Sequence, residues 1–140
     1  MIRKITIKDK LNFCDYCIKY GQNLFIDSSF EYIERIFNRL TKLNYFCIVD
    51  EEYDNFRGIL FIEKINNDFY VKTIYKNPKV LDRLLRVLVW NAHKDVILKI
   101  NDYKVVSVLK KYFFRLKSKT EKEYIYFRKY FNKVNKNGKL

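Results

Sequence analysis

The apolar residues of this 140-residue chain change their spacing repeatedly, from period two to helical period and back. That alternation constrains the fold more than any single motif does. Ile2 to Ile7 alternate as IRKITI, the pattern of a half-buried strand. Leu11 to Tyr20 have helical spacing, with Phe13, Cys17 and Ile18 toward one face and Gly21 as a stop. Ser28 and Glu31 stand as S-x-x-E, which predicts a capping box, and Phe30, Ile33, Phe37 and Leu40 follow at helical spacing. Tyr45 to Val49, Phe56 to Ile65 and Phe69 to Tyr75 read as three consecutive strands, the last two joined by a turn at Asn66 to Asp68. Pro78 suits the first turn of a helix whose apolar face is Val80, Leu81, Leu84, Leu85 and Leu88. Val96 to Ile100 is a short central strand. Asn101 and Asp102 are placed to cap a fourth helix carrying Val105, Val108, Leu109 and Tyr112, and Tyr124 to Phe131 form a last strand.

The predicted class is therefore α/β in the α+β sense, with element order β-α-α-β-β-β-α-β-α-β. The expected sheet is mixed and mostly antiparallel, with helices on both faces and the fourth and fifth strands parallel. A single domain over residues 1–131 is expected, with 132–140 as a polar basic tail. The composition suits a packed core of unusual kind, built from twelve Phe and twelve Tyr with Ala92 as the only alanine. Heavy use of Lys, Asn, Ile, Phe and Tyr is what an A/T-rich coding sequence gives, as in low-GC bacteria and their phages.

Several functions are argued against by what is missing. No stretch approaches the roughly 20 apolar residues of a membrane span. The N-terminal segment has no apolar signal-peptide core. Cys14, Cys17 and Cys47 are odd in number and read as reduced thiols, which points to the cytoplasm, or to a virion if the source is a phage. Cys14 and Cys17 form C-x-x-C inside a helical pattern, and only Cys47 and His93 could join them, so no metal site is expected. P-loop, dinucleotide, H-E-x-x-H and nucleophile-elbow patterns are absent.

Nearly the whole chain, in its order and spacing of elements, resembles the GNAT N-acetyltransferase superfamily. The resemblance is carried locally by Gly58 in FRGILFI, by LLRVLVWNA followed by VILKIN, and by Asn101 at the opening of the next helix. It implies an acyl-CoA donor held at the start of the central helix by a turn of pattern Q/R-x-x-G-x-G/A. Lys76, Asn77, Pro78, Lys79, Val80 and Leu81 fall on that pattern, so Lys76, Asn77, Lys79 and Val80, with Asn101, are the implied cofactor-binding positions. Both glycines are replaced, by Lys79 and Leu81. Leucine there is expected to add bulk where backbone should meet phosphate, and Pro78 removes a donor. The resemblance also implies a tyrosine acid on the following helix. That position is Leu109 here, and Tyr112 is the nearest phenol. Strand Phe69 to Tyr75 has no carboxylate, which leaves Glu63 as the nearest general base.

Two functions stay open. The leading expectation is a scaffold that has lost ordinary acyl-CoA chemistry, needs no cofactor, and serves in binding or assembly through a basic surface. The alternative is a divergent N-acyltransferase that moves an acetyl group from acetyl-CoA to an amine. The charge favours an anionic partner, nucleic acid or an acidic protein. Net charge is +13, and residues 110–140 carry eleven Lys or Arg against Glu121 and Glu123. Lys104, Lys110, Lys111, Arg115, Lys117 and Lys119 are the residues expected to meet that partner, on a face shared by the fourth helix and the last strand.

Overall fold

A computed structural model describes residues 1–21 and 24–130. The expected tail, 132–140, lies outside the described residues. The strands are β1 (Ile2–Lys4), β2 (Cys47–Glu52), β3 (Asn55–Ile65), β4 (Asp68–Tyr75), β5 (Val96–Ile100), β6 (Arg115–Lys119) and β7 (Tyr124–Arg128). The helices are α1 (Lys10–Tyr20), α2 (Phe30–Lys42), α3 (Pro78–Asn91) and α4 (Val106–Lys111), and 3-10 turns precede α1 and α4. The strands form one mixed sheet in the order β1-β2-β3-β4-β5-β7-β6, antiparallel at β1–β2, β2–β3, β5–β7 and β7–β6, and parallel at β4–β5. This is the expected class and order with one strand more.

Two compact units can be told apart, Met1–Ile62 with Lys72–Leu84, and Glu63–Val71 with Leu85–Leu140. In the first, α1 and α2 bury Phe13, Cys14, Cys17, Ile33, Phe37 and Leu40 in one cluster with Cys47, Val49, Ile59, Phe61 and Ile74 of the strands. Gly58 lies on the opposite sheet face. A Cβ there would stand 2.6 Å from Val80 Cγ1 and 3.0 Å from Leu84 Cδ1, so the start of α3 approaches the sheet over a bare backbone. Helices thus cover both faces of this unit's strands.

Helix α2 starts one residue later than the S-x-x-E pattern predicts. The Asp27 carboxylate accepts the Ser29 amide at 2.8 Å, which holds Ser29 extended, and its hydroxyl accepts the Tyr32 amide. The third helical residue is then Tyr32, so Glu31 cannot complete a box.

In the second unit, β5 alternates strictly: Val96, Leu98 and Ile100 are buried while Ile97 and Lys99 are not. The fourth helix is shorter than its apolar spacing suggested. It stops at Lys111, and Phe113 takes a left-handed φ of 67° that turns the chain into β6. Strand β6 (RLKSK) is exposed throughout, so it carries no apolar period from which it could be read. Its lysines and its register irregularity between Leu116 and Ser118 suit an edge strand.

Candidate functional site

The turn Lys76–Val80 joins β4 to α3. The Lys76 amide donates to the Arg57 carbonyl at 2.9 Å, which fastens the end of β4 to β3. Asn77 caps α3: its side-chain oxygen accepts the Val80 amide at 3.1 Å, and its carbonyl accepts the amides of Val80 and Leu81. Pro78 has no amide to give. Among the described residues no hydrogen bond engages the amides of Asn77 and Lys79, and the ammonium groups of Lys76 and Lys79 are exposed. Val80 is 1% exposed against Gly58, so this residue serves helix and core. Leu81 is fully buried as well. The bulk expected to obstruct a phosphate is therefore turned into the core and leaves the outer surface of the turn open.

Lys76 and Asn77 also line a cavity of about 850 Å³ within the first unit. Its other walls are the C-terminal half of α1, through Asp15, Tyr16, Lys19 and Tyr20, and the β2–β3 hairpin from Glu52 to Arg57. Tyr16 packs against Tyr20 at 4.8 Å and Phe56 at 6.1 Å between ring centroids, and burial pushes its phenol up to about 12. At the hairpin tip, Tyr53 and Asp54 both adopt left-handed φ, 52° and 63°, without a glycine. Tight two-residue hairpins require that conformation, and a non-glycine residue accepts it at some cost. It leaves the Tyr53 ring almost wholly in solvent at the cavity wall.

Behind this wall lies a charged knot that the sequence does not announce. Asp50 is fully buried. Its Oδ1 accepts from Arg57 Nη2 at 3.0 Å, and its Oδ2 accepts from Arg83 Nε at 3.0 Å. Arg57 also pairs with Glu52 through Nη1, while its Nε is buried with no hydrogen-bond partner. Burial raises the Asp50 carboxyl, but the two guanidiniums outweigh it and hold the group below the usual carboxylate range. Nothing in the local pattern CIVDEEYDNFRG marks Asp50 as inward. The one available cue is its place in β2 directly opposite Gly58.

The remaining sequence candidates fall in the second unit. Tyr112 ends α4 and is buried. Its carbonyl accepts from Arg128 Nε at 2.9 Å, and it serves as a core aromatic. Asn101 is exposed and does not cap, since the Asp102 carboxylate takes the Lys104 amide at 3.0 Å. Glu63 is half-buried in β3, and exposed His93 meets Tyr130 edge to face at 5.6 Å.

All six basic candidates are exposed, on two helical segments and on a strand, β6, that lies outside the expected order. Lys104 lies in the 3-10 turn and Lys110 and Lys111 end α4, whereas Arg115, Lys117 and Lys119 belong to β6. Within β6, Arg115 shares a sheet face with Phe127, and Lys119 the opposite face with Tyr124. The three cysteines are free and buried, and burial raises all of their thiols, Cys14 to about 11. No group of three or more metal-ligating side chains occurs among the described residues, and no described helix is long and apolar enough to cross a membrane.

A seven-stranded mixed sheet in this order, with a parallel pairing at β4–β5 and a helix start packed on a strand glycine, is a specific α/β architecture. Solved structures specify it further: the chain has the fold of the GNAT N-acetyltransferase superfamily. The PaiA N-acetyltransferase from Thermoplasma acidophilum, solved in complex with coenzyme A, aligns over 93% of this chain and 98% of its own at 16% identity, with a TM-score of 0.56. Aminoglycoside 6'-acetyltransferase type Ii covers 91% and 94% at 13% identity and a TM-score of 0.66. A putative acetyltransferase from Salmonella typhimurium, solved with its cofactor acetyl-CoA, covers 91% and 90% at 11% identity and a TM-score of 0.64. No family model matches the sequence, and no curated protein matches it significantly.

Proposed function

We propose that this chain is a divergent acyl-CoA-dependent N-acyltransferase acting on an amine. The observation that carries the reading is the Lys76–Val80 turn, after which Leu81, in a glycine's place, is buried while two lysines and two amides of the turn remain outside. Lys76 and Lys79 would hold the pyrophosphate of acetyl-CoA by charge, with the Asn77 and Lys79 amides adding direction. The bound thioester supplies an activated acyl group, and no residue of this chain is assigned as its acid or base.

Calorimetry with acetyl-CoA is the first test, followed by release of free CoA thiol in the presence of a polyamine or peptide amine. Micromolar binding, weakened at least about tenfold when Lys76 and Lys79 are both changed to Ala, supports the reading. Binding held by lysines should also weaken with salt more than binding held by amides. A second reading is a binding or assembly protein that keeps the scaffold without turnover, and the burial of Tyr112 favours it. Absence of acetyl-CoA binding at millimolar concentration would sink the first reading and leave the second.

A further inference from the structure

In the second unit, which holds β5, β6, β7 and residues 68–71 of β4, the described strand residues are fully buried on one sheet face only. Register places Val71, Val96, Leu98, Ile100, Tyr126 and Arg128 on the same side, and all six are buried. Arg128 ties that side to the end of α4 through its bond to the Tyr112 carbonyl. The other side carries a row running across the strands. Tyr70 stands opposite Ile97, Ile97 opposite Phe127, and Phe127 opposite Arg115. Beside that row, Lys99 stands opposite Ile125, and Ile125 opposite Ser118. Tyr70, Ile97, Ile125 and Phe127 are only half-buried, and Lys99, Arg115, Lys117 and Ser118 are exposed.

The charge on three of these strands has one sign: β5, β6 and β7 hold Lys99, Arg115, Lys117, Lys119 and Arg128 and no carboxylate, while β4 brings Asp68 and Lys72. Both rings of this half-buried row are attended by lysines, Lys99 Nζ 5.4 Å from the Tyr70 ring centre and Lys117 Nζ 5.4 Å from that of Phe127. An ammonium on such a ring is a weak and exchangeable contact.

We infer that this sheet face binds single-stranded nucleic acid. Two rings with one strand between them offer platforms for unpaired bases, and Lys99, Lys117 and Arg115 flank them where phosphates would run. On binding, a base replaces an ammonium on the ring, and the displaced lysine turns to a phosphate, so each exchange makes two contacts from one. A duplex hides its base faces and cannot use the rings. An acidic protein has charge for the lysines but no series of flat rings. The inference is independent of whether the chain transfers an acyl group.

Fluorescence anisotropy with labelled twelve-residue oligo(dT) and oligo(U), and with a duplex of the same length, tests this. Tighter binding of single strands than of duplex is expected at low salt. Lys99→Glu with Lys117→Glu should lower affinity about tenfold or more and flatten the log–log salt slope by about 1.4, two phosphates' worth on a single strand. Tyr70→Leu should weaken binding about threefold or more with the slope unchanged, since stacking releases no counterions. Phe127→Leu should do the same, and thermal melts of each variant exclude a folding defect. Lys104→Glu with Lys110→Glu, on the 3-10 turn and α4 and on neither ring, should cost less than the pair on the sheet. Three results would overturn the inference: no binding at 50 mM salt, equal binding of duplex, or displacement by polyglutamate as effective per charge as by oligo(dT).

Discussion

Asp50→Asn tests whether a single carboxylate organises the wall on which the candidate site rests. The substitution keeps the shape of the side chain and removes its charge, so Arg83 loses its pairing with Asp50 and Arg57 keeps only Glu52 as a counter-ion. Removing one partner of a fully buried pair costs about 3–5 kcal/mol. Both arginines keep access to water, with side chains 27% and 41% exposed, so part of their lost pairing is recovered by hydration. An expected cost of about 2–4 kcal/mol follows, which for a chain of this size is a fall in Tm of roughly 6–16 °C. Urea unfolding at pH 7 measures it directly, through the midpoint at unchanged slope. The pH dependence adds a second reading. Because the folded carboxyl lies below its unfolded value, its stabilisation is fully present above about pH 4 and is lost as pH falls through the folded pKa. The gap between wild type and Asp50→Asn should therefore be widest near neutrality and narrow only in acid below pH 4. A change under about 0.5 kcal/mol at pH 7, within the scatter of ordinary surface substitutions, would refute the account.

Two further outcomes follow from close packing and burial. Gly58→Ala places a Cβ 2.6 Å from Val80 Cγ1 and 3.1 Å from the Ile74 carbonyl, and the overpacking should cost about 1–3 kcal/mol in urea unfolding; a neutral result would mean that α3 moves freely off the sheet. Native protein at pH 8 should show almost no reaction with a thiol reagent over minutes and three reactive thiols in guanidinium, since burial raises every cysteine; fast native modification would contradict the packing of Cys17 and Cys47 in the core.

Most of the fold is legible in the sequence because most of its elements are amphipathic. β5 and α3 are examples: one buried stripe each fixes type, extent and orientation. β6 could not be read, because an edge strand of lysine, serine and arginine buries nothing and so leaves no period. The helix before it ends on a left-handed phenylalanine, where a sequence reader looks for glycine. The start of α2 lies one residue beyond the S-x-x-E pattern for a similar local reason, since the deciding group is the Asp27 carboxylate two residues before the cap. Lys76 and Asn77, which the sequence singles out, line the cavity, whereas nothing in the sequence singles out the ion pairs of Asp50 with Arg57 and Arg83. Ion pairs that span 33 residues of sequence have no spacing rule by which to be found.

Position in an alignment and direction in space part company at Leu81. Aligned to a glycine, it suggests a side chain filling the place of a phosphate. On the helix, it belongs to the stripe Val80, Leu81, Leu84, Leu85 and Leu88, every member of which is at most 1% exposed. Side chains of a helix's first turn lie on whichever face their phase assigns. This leucine's phase is inward, so its bulk goes to the core while the turn keeps an open outer surface. What the turn lacks is amides, one absent at Pro78 and one taken by Asn77. Two exposed ammonium groups on flexible stems replace directional donors with charge. On the reading proposed above, such a site would attract phosphate over a longer range, hold it with less geometric precision, and weaken more readily in salt.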